Sequence, residues 1–212
     1  SHRLRAGFST LRDGMRIAGA DRVVLLLFAA TFLVNGGAEI FGRLYAKQLV
    51  ELGFPSSPDP IVWYTALGIA ALLVGVVAVR IVESRISGVG MARRSFAAGC
   101  LLGAFGIGVL ALAPDPLTAS LGILLVSGVS LTLVRVIGSI WLNRQVPSEV
   151  RATVHSFLAQ AEYLGEIACG FALAIVAASA GITTALLGAV GLLAIASVVV
   201  LRSPQDREAH QA

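Results

Sequence analysis

The stretch IVWYTALGIAALLVGVVAV, residues 61–79, runs for 19 residues without a charged side chain. As an α-helix it spans roughly 28 Å, close to the thickness of a bilayer's hydrocarbon core. It does not alternate polar with apolar residues, as a β-barrel strand would. The same reading extends outward in both directions. SFAAGCLLGAFGIGVLALA, residues 95–113, repeats the pattern, and RVVLLLFAATFLV opens a third such run at residue 22. Six apolar segments are predicted in all: about Arg22–Val50, Pro60–Ile81, Ser95–Ala113, Leu117–Leu142, Val150–Ala180 and Ile182–Leu201. Pro55, Pro58 and Pro60 separate the first two, Pro114 and Pro116 the third and fourth, Pro147 precedes the fifth, and Gly181 divides the fifth from the sixth.

Composition agrees with this. Of 212 residues, 57% are hydrophobic and 13% are charged, against roughly 25% charged in a soluble domain. The mean hydropathy is +0.86. A soluble enzyme, a nucleic-acid module and a disordered chain are excluded, and the fold class is an all-α membrane protein with six transmembrane helices. The net charge of +4 follows from arginines between the apolar runs, as cytoplasmic loops require, so no nucleic-acid partner is expected.

Three regions are expected. Residues 1–21 carry Leu4, Phe8, Leu11 and Met15 at helical spacing, with Arg5, Arg12 and Arg16 off that stripe. They read as an amphipathic cytoplasmic linker on the membrane surface, with a plain basic tail as the alternative. Residues 22–202 form the bundle and 203–212 a cytoplasmic tail. Arg3, Arg5, Arg12, Arg16, Arg22, Arg80, Arg85, Arg93, Arg94, Arg144, Arg151, Arg202 and Arg207 all fall on one side. The other side has only Arg43 and Lys47 near the end of the first helix, with Glu51, Asp59 and Asp115 in its loops. Both termini are therefore expected in the cytoplasm, in a multi-pass protein of a bacterial inner membrane. Trp63, Tyr64 and Trp141 are expected in an aromatic belt at the interfaces.

A charge at the bilayer centre costs about 2.5–3.5 kcal/mol on insertion scales. The third and sixth helices carry none between their ends, and the second none before Arg80. This divides helices facing a polar interior from helices facing lipid. The first helix places Asn35, Glu39 and Arg43 on one face. Glu39 and Arg43 are either a local pair that offsets burial or the lining of a cavity with a protonatable carboxylate. On the fourth, Arg135 aligns with Gly128, Thr132 and Ser139. It either snorkels to the interface or stays inside, facing a carboxylate or an anionic substrate. The fifth has His155, Ala159, Glu162, Glu166 and Cys169 on a stripe flanked by Gln160 and Tyr163. Two carboxylates one turn apart repel, so one of them is expected to hold its proton to higher pH and serve proton coupling. The alternative is a polar clasp with Arg135. His155 falls near the cytoplasmic interface. The small-residue pairs Gly99/Gly103 and Ala161/Gly165 permit close helix approach.

No catalytic signature accompanies these residues. GxSxG, HExxH and Walker A sequences are absent, and GVGMARR at 88–94 lacks the strand and the lysine of a phosphate loop. Cys100 and Cys169 have no metal spacing. No enzyme activity, cofactor or metal is expected.

Three stretches carry a resemblance. They are the basic opening of residues 1–21, VRIVESRISGVGMARRS at 79–95, and WLNRQVPSEVRATVHSFLAQAEYLGEIACG at 141–170. Over its whole length the chain resembles the C-terminal six-helix half of a major facilitator superfamily transporter of the bacterial drug-exporter type. The opening is similar to the linker between halves. Residues 79–95 are similar to the basic loop G-x-x-x-D-R-x-G-R-R, matched at Arg93 and Arg94. Residues 141–170 are similar to the connection between the tenth and eleventh helices. The resemblance implies two pseudo-symmetric halves, each of two inverted three-helix repeats. It implies a cavity lined by the first and fourth helices, supported by the second and fifth, with the third and sixth against lipid. The expected function is proton-coupled export of small amphipathic molecules by alternating access. The chain, opening on Ser1 rather than Met, is read as a fragment. Its partners are then the substrate, protons, the lipid bilayer and a missing N-terminal six-helix half. The rival is a stand-alone six-helix accessory protein that oligomerises through its glycine-rich faces. A more remote rival is an intramembrane enzyme.

Overall fold

In hydrocarbon no water satisfies the backbone, so each spanning segment must bond its own N–H and C=O groups, as a helix does. The computed structural model describes residues 22–53, 57, 59–83 and 89–202. Among them all regular structure is helical, and six helices are long and apolar enough to cross a membrane. These are α1 (Arg22–Glu51), α2 (Pro60–Glu83), α3 (Val89–Ala111), α4 (Pro116–Gln145), α5 (Arg151–Ala180) and α6 (Ile182–Leu201). The linker at 1–21, the tail at 203–212, Pro55, Pro58 and Arg85 lie outside the described residues.

The helix boundaries follow local chemistry. Asp115 caps α4: its Oδ1 accepts the N–H groups of Leu117 (2.9 Å) and Thr118 (3.0 Å), and its Oδ2 accepts the Thr118 hydroxyl (2.7 Å). Pro116 follows at the first helical position, where no N–H is needed. The Thr118 hydroxyl, then its N–H, hold the Asp115 carboxyl below its ordinary value. Gly181, at φ 91°, ends α5 and starts α6. α3 begins at Val89, well before the apolar run at Ser95. Met91, Ala92, Arg93 and Arg94 are good helix formers, and the helix continues past the hydrocarbon.

α4 is not uniform. Leu124–Ser130 forms a π-helical segment between α-helical stretches, and the Thr132 hydroxyl donates to Ser127 O, five residues back (3.1 Å). LLVSGVS gives no sequence signal for it.

The helices alternate in direction around two stacked cores. One joins the starts of α1, α3 and α5 to the ends of α4 and α6, around Leu27, Phe96, Ile137, Trp141 and Val154. The other joins the opposite ends, around Leu49, Leu110, Ile123 and Leu186. α1 packs chiefly on α5 and α6, α4 chiefly on α3 and α2, and α3 and α6 pack on each other.

Glycines set the closest approaches. A Cβ at Gly165 would overlap Phe32 O and lie 2.8 Å from Phe32 C; one at Gly36 would lie 3.0 Å from Gly165 O. α2 crosses α4 in the same way: a Cβ at Gly75 would lie 3.0 Å from Gly128 O, and one at Gly128 3.1 Å from Ala71 O. Gly99 packs on Val134 and Gly103 on Ser130 and Leu193, so the Gly99/Gly103 pair is a packing face. The buried Ser130 hydroxyl joins this seam by donating to Gly99 O (2.7 Å).

Two expectations need correction. Trp141 is not in an interfacial belt. It is 1% exposed and meets the Phe96 ring edge-on at 6.1 Å, because Gly138 leaves space for that ring. Trp63 and Tyr64 are half-buried and bonded to neighbouring helices, Trp63 Nε1 to Ser120 Oγ (3.1 Å) and Tyr64 OH to Ala46 O (2.9 Å). Second, freedom from charge does not mark the most exposed helices. The α3 span is 56% buried, while the α2 and α5 spans are 6% and 11% buried. α3 and α6 do present outer apolar side chains such as Phe105 and Ile195. Their glycines and alanines nevertheless let them form the centre of the bundle, whereas α2 and α5 flank it.

Candidate functional site

The polar side chains singled out in the sequence come together from three helices. α1 crosses α5 at Gly36 and Gly165. That contact sets Asn35 and Glu39 beside Glu162 and Glu166, which flank Gly165 in sequence. A cavity lies along this seam and reaches α4. Thr31 and Asn35 line it from α1, Arg135 and Ser139 from α4, and Glu162 from α5. Phe96, Leu131, Val134 and Leu158 supply apolar walls.

Each charged group has a distinct environment. Glu39 accepts from Arg43 Nε, one helical turn on. The Glu39 side chain is 28% exposed and that of Arg43 67%, so Arg43 holds Glu39 from the open side. Of the two alternatives for these residues, the local pair is formed. The Glu39 stem lies over α5, where a Cβ at Gly170 would come within 2.9 Å of its Cγ. Asn35 has its amide committed to Thr31 O (2.9 Å). Neither Glu39 nor Arg43 is among the residues lining the cavity.

Arg135 is exposed. Among the described residues it makes no hydrogen bond and has no carboxylate within 4.0 Å. The clasp with α5 is therefore not closed as a direct ion pair. Glu162 and Glu166 are half-buried and likewise have no hydrogen-bond or ion-pair partner among the described residues. Glu166 lies within electrostatic reach of Glu39, Glu162 and Arg135. It does not line the cavity, whereas Glu162 does. The cluster thus has a lining pair, Arg135 and Glu162, and a carboxylate set back, Glu166.

His155 stands apart. Its Nε2 is 2.9 Å from Asn143 Oδ1, which ties the start of α5 to the end of α4. Cys169 packs on Gly36 at the helix crossing. Sequence reasoning missed Thr31, one turn before Asn35 on the same face, and the apolar walls. Thr31 was within reach of the four-residue spacing already used for Asn35, Glu39 and Arg43. Among the described residues no three His, Cys, Asp or Glu side chains converge as metal ligands would.

The arrangement can therefore offer a guanidinium and a carboxylate to a ligand within an apolar wall, with a second α5 carboxylate close by. No family model, curated protein or solved structure matches this chain.

Proposed function

We propose that the chain is a six-helix half of a secondary transporter of the major facilitator type, with proton-coupled export of small amphipathic molecules as its activity. The observation that carries this reading is the convergence of Glu39, Arg135, Glu162 and Glu166 from three helices beside one cavity. A bundle that only packs has no use for three charge-bearing helices turned to one site, since each charge raises the cost of insertion.

Two further features support it. The α1–α5 and α4–α2 crossings match. Each is a close approach at a glycine, Gly165 against Phe32 O and Gly75 against Gly128 O, and displacing α1 onto α4 along the chain carries Phe32 onto Gly128 and Gly36 onto Thr132. The same displacement carries Glu39 onto Arg135. Inverted three-helix repeats have this relation. In addition, α2 and α5 are the least covered helices, and a second bundle rocking against this one would cover them. The Arg-rich end is then cytoplasmic.

In this reading Glu166 or Glu162 carries the proton, with Glu39 and Arg43 from α1 and Arg135 from α4 as the other charges facing it. The test is uptake into proteoliposomes holding the full-length protein under an imposed pH gradient. Glu166→Gln and Glu162→Gln should each reduce gradient-driven flux at least tenfold; unchanged flux in both ends the coupling proposal. The rival, a stand-alone oligomer, rests on the same open faces of α2 and α5. It predicts self-cross-linking through cysteines placed at Leu72 and Ile167, both exposed.

A further inference from the structure

We propose that the cavity between α1, α4 and α5 binds a zwitterionic amphipath, with Arg135 receiving its anionic group and Glu162 its cationic group. The inference rests on reading this cavity as the transport site and adds the class of ligand.

The argument starts from unanswered groups. A guanidinium presents its donors in a planar fork that matches a carboxylate or phosphate, and it has no acceptor capacity of its own. Arg135 projects from a membrane-spanning helix, lines the cavity, and has no hydrogen-bond or ion-pair partner among the described residues. Glu162, an acceptor when ionised, lines the same cavity and is equally without a partner. The two are not bonded to each other. A ligand with both charges answers both groups at once. A simple cation would leave Arg135 unanswered, and a simple anion would leave Glu162 so, each in a setting where an unpaired charge is costly.

The other charges lie off the cavity lining, with Glu166 within electrostatic reach of Arg135 and Glu162. Arg43 is committed to Glu39. Glu166 is set back from the lining, which leaves it for the proton while Glu162 serves the ligand. The lining charges therefore cancel, and the ligand's should cancel too. Phe96, Leu131, Val134 and Leu158 form the apolar wall against which the body of the molecule lies.

The test is equilibrium dialysis of three probes against the full-length protein in nanodiscs, with empty nanodiscs as reference. The probes share a hexyl chain: N-hexyl-N,N-dimethylglycine, hexyltrimethylammonium and hexanoate. The zwitterion should bind at least tenfold more tightly than either singly charged probe. Arg135→Gln should bring it down to the level of the cation, and Arg135→Lys should recover part of the loss. Glu162→Gln should bring it down to the level of the anion, and Gly42→Ala, exposed on α1 and away from the cavity lining, should leave the ranking intact. Equal binding of all three probes, a cation that matches the zwitterion, or a tenfold preference that survives both Arg135→Gln and Glu162→Gln overturns the proposal. The wild-type ranking decides even if a variant does not fold. Because no gradient is involved, absent flux with the ranking retained refutes transport alone. Proton-driven flux with no ranking refutes the ligand class alone.

Discussion

Gly165→Ala adds one methyl group at the tightest point of the α1–α5 seam. Its Cβ would overlap Phe32 O and lie 2.8 Å from Phe32 C and 3.0 Å from Phe32 Cα. These are backbone atoms, so no rotamer change relieves the contact, and α1 must move by roughly half an ångström or more. Overpacking of this kind costs about 1–3 kcal/mol. Gly42→Ala is the matched control. Gly42 is helical and exposed, and a Cβ there meets nothing within 4 Å. It should gain up to about 1 kcal/mol from helix propensity. Gly165 is helical too, so that gain is common to both variants, and Gly165→Ala should be the less stable by the overpacking cost alone, about 1–3 kcal/mol. Reversible SDS-driven unfolding in mixed micelles, followed by Trp63 and Trp141 fluorescence, measures the difference. Gly165→Ala should also reduce the flux proposed above, since Glu162 and Glu166 ride on the displaced segment. If Gly165→Ala is no less stable than Gly42→Ala, the close approach of α1 and α5 is wrong. The shared placement of Glu39 and the α5 carboxylates would then fall with it.

Ser130→Ala removes the hydroxyl bonded to Gly99 O at 2.7 Å and should cost about 0.6 kcal/mol, and no more than about 1.7, in the same unfolding assay. Asp115 has a folded-state pKa below the ordinary 3.8, so its contribution is complete above that value and drains away as pH falls through the lower one. The stability gap between wild type and Asp115→Ala should accordingly be flat from about pH 5 to 8 and close in acid, read from pH-dependent unfolding. Amide exchange should be faster across Leu124–Ser130 than across Leu131–Leu142, because π turns bond less favourably than the α-helix that follows; equal protection would mean that α4 is regular.

How much of this was legible in the chain depends on what each feature is made of. Helix number and the break at Gly181 come from hydropathy and backbone chemistry, which are local, and α6 lies where the apolar run from Ile182 to Leu201 places it. The start of α3 was displaced because hydropathy reports where hydrocarbon ends, not where helical bonding ends. Trp141 was misplaced because tryptophan is common both at membrane interfaces and in cores; the deciding facts, Gly138 and Phe96 across the seam, belong to a pair of helices. The polar stripes on α1, α4 and α5 were legible as faces. That they meet at one cavity was not, since it depends on α1 crossing α5 at Gly165 rather than a turn earlier or later. The openness of α2 and α5 was hidden for a related reason: burial here follows small residues at crossings, while charge count follows the cavity.

The chemistry of the cluster depends on that division. Had Glu162 and Glu166 been held by salt bridges, their positions would depend on their charges, and protonating either would loosen the seam. They flank a backbone contact between Gly165 and Phe32 instead, so α5 is held against α1 by packing that no proton or ligand alters. Only Glu39 has its counter-charge built in, through Arg43. The remaining groups, Arg135, Glu162 and Glu166, have no hydrogen-bond or ion-pair partners among the described residues. In the proposed transporter, a site of this kind would exchange a proton and a charged ligand without repacking its own helices, so the free energy of either event would go into moving the whole bundle rather than rebuilding it.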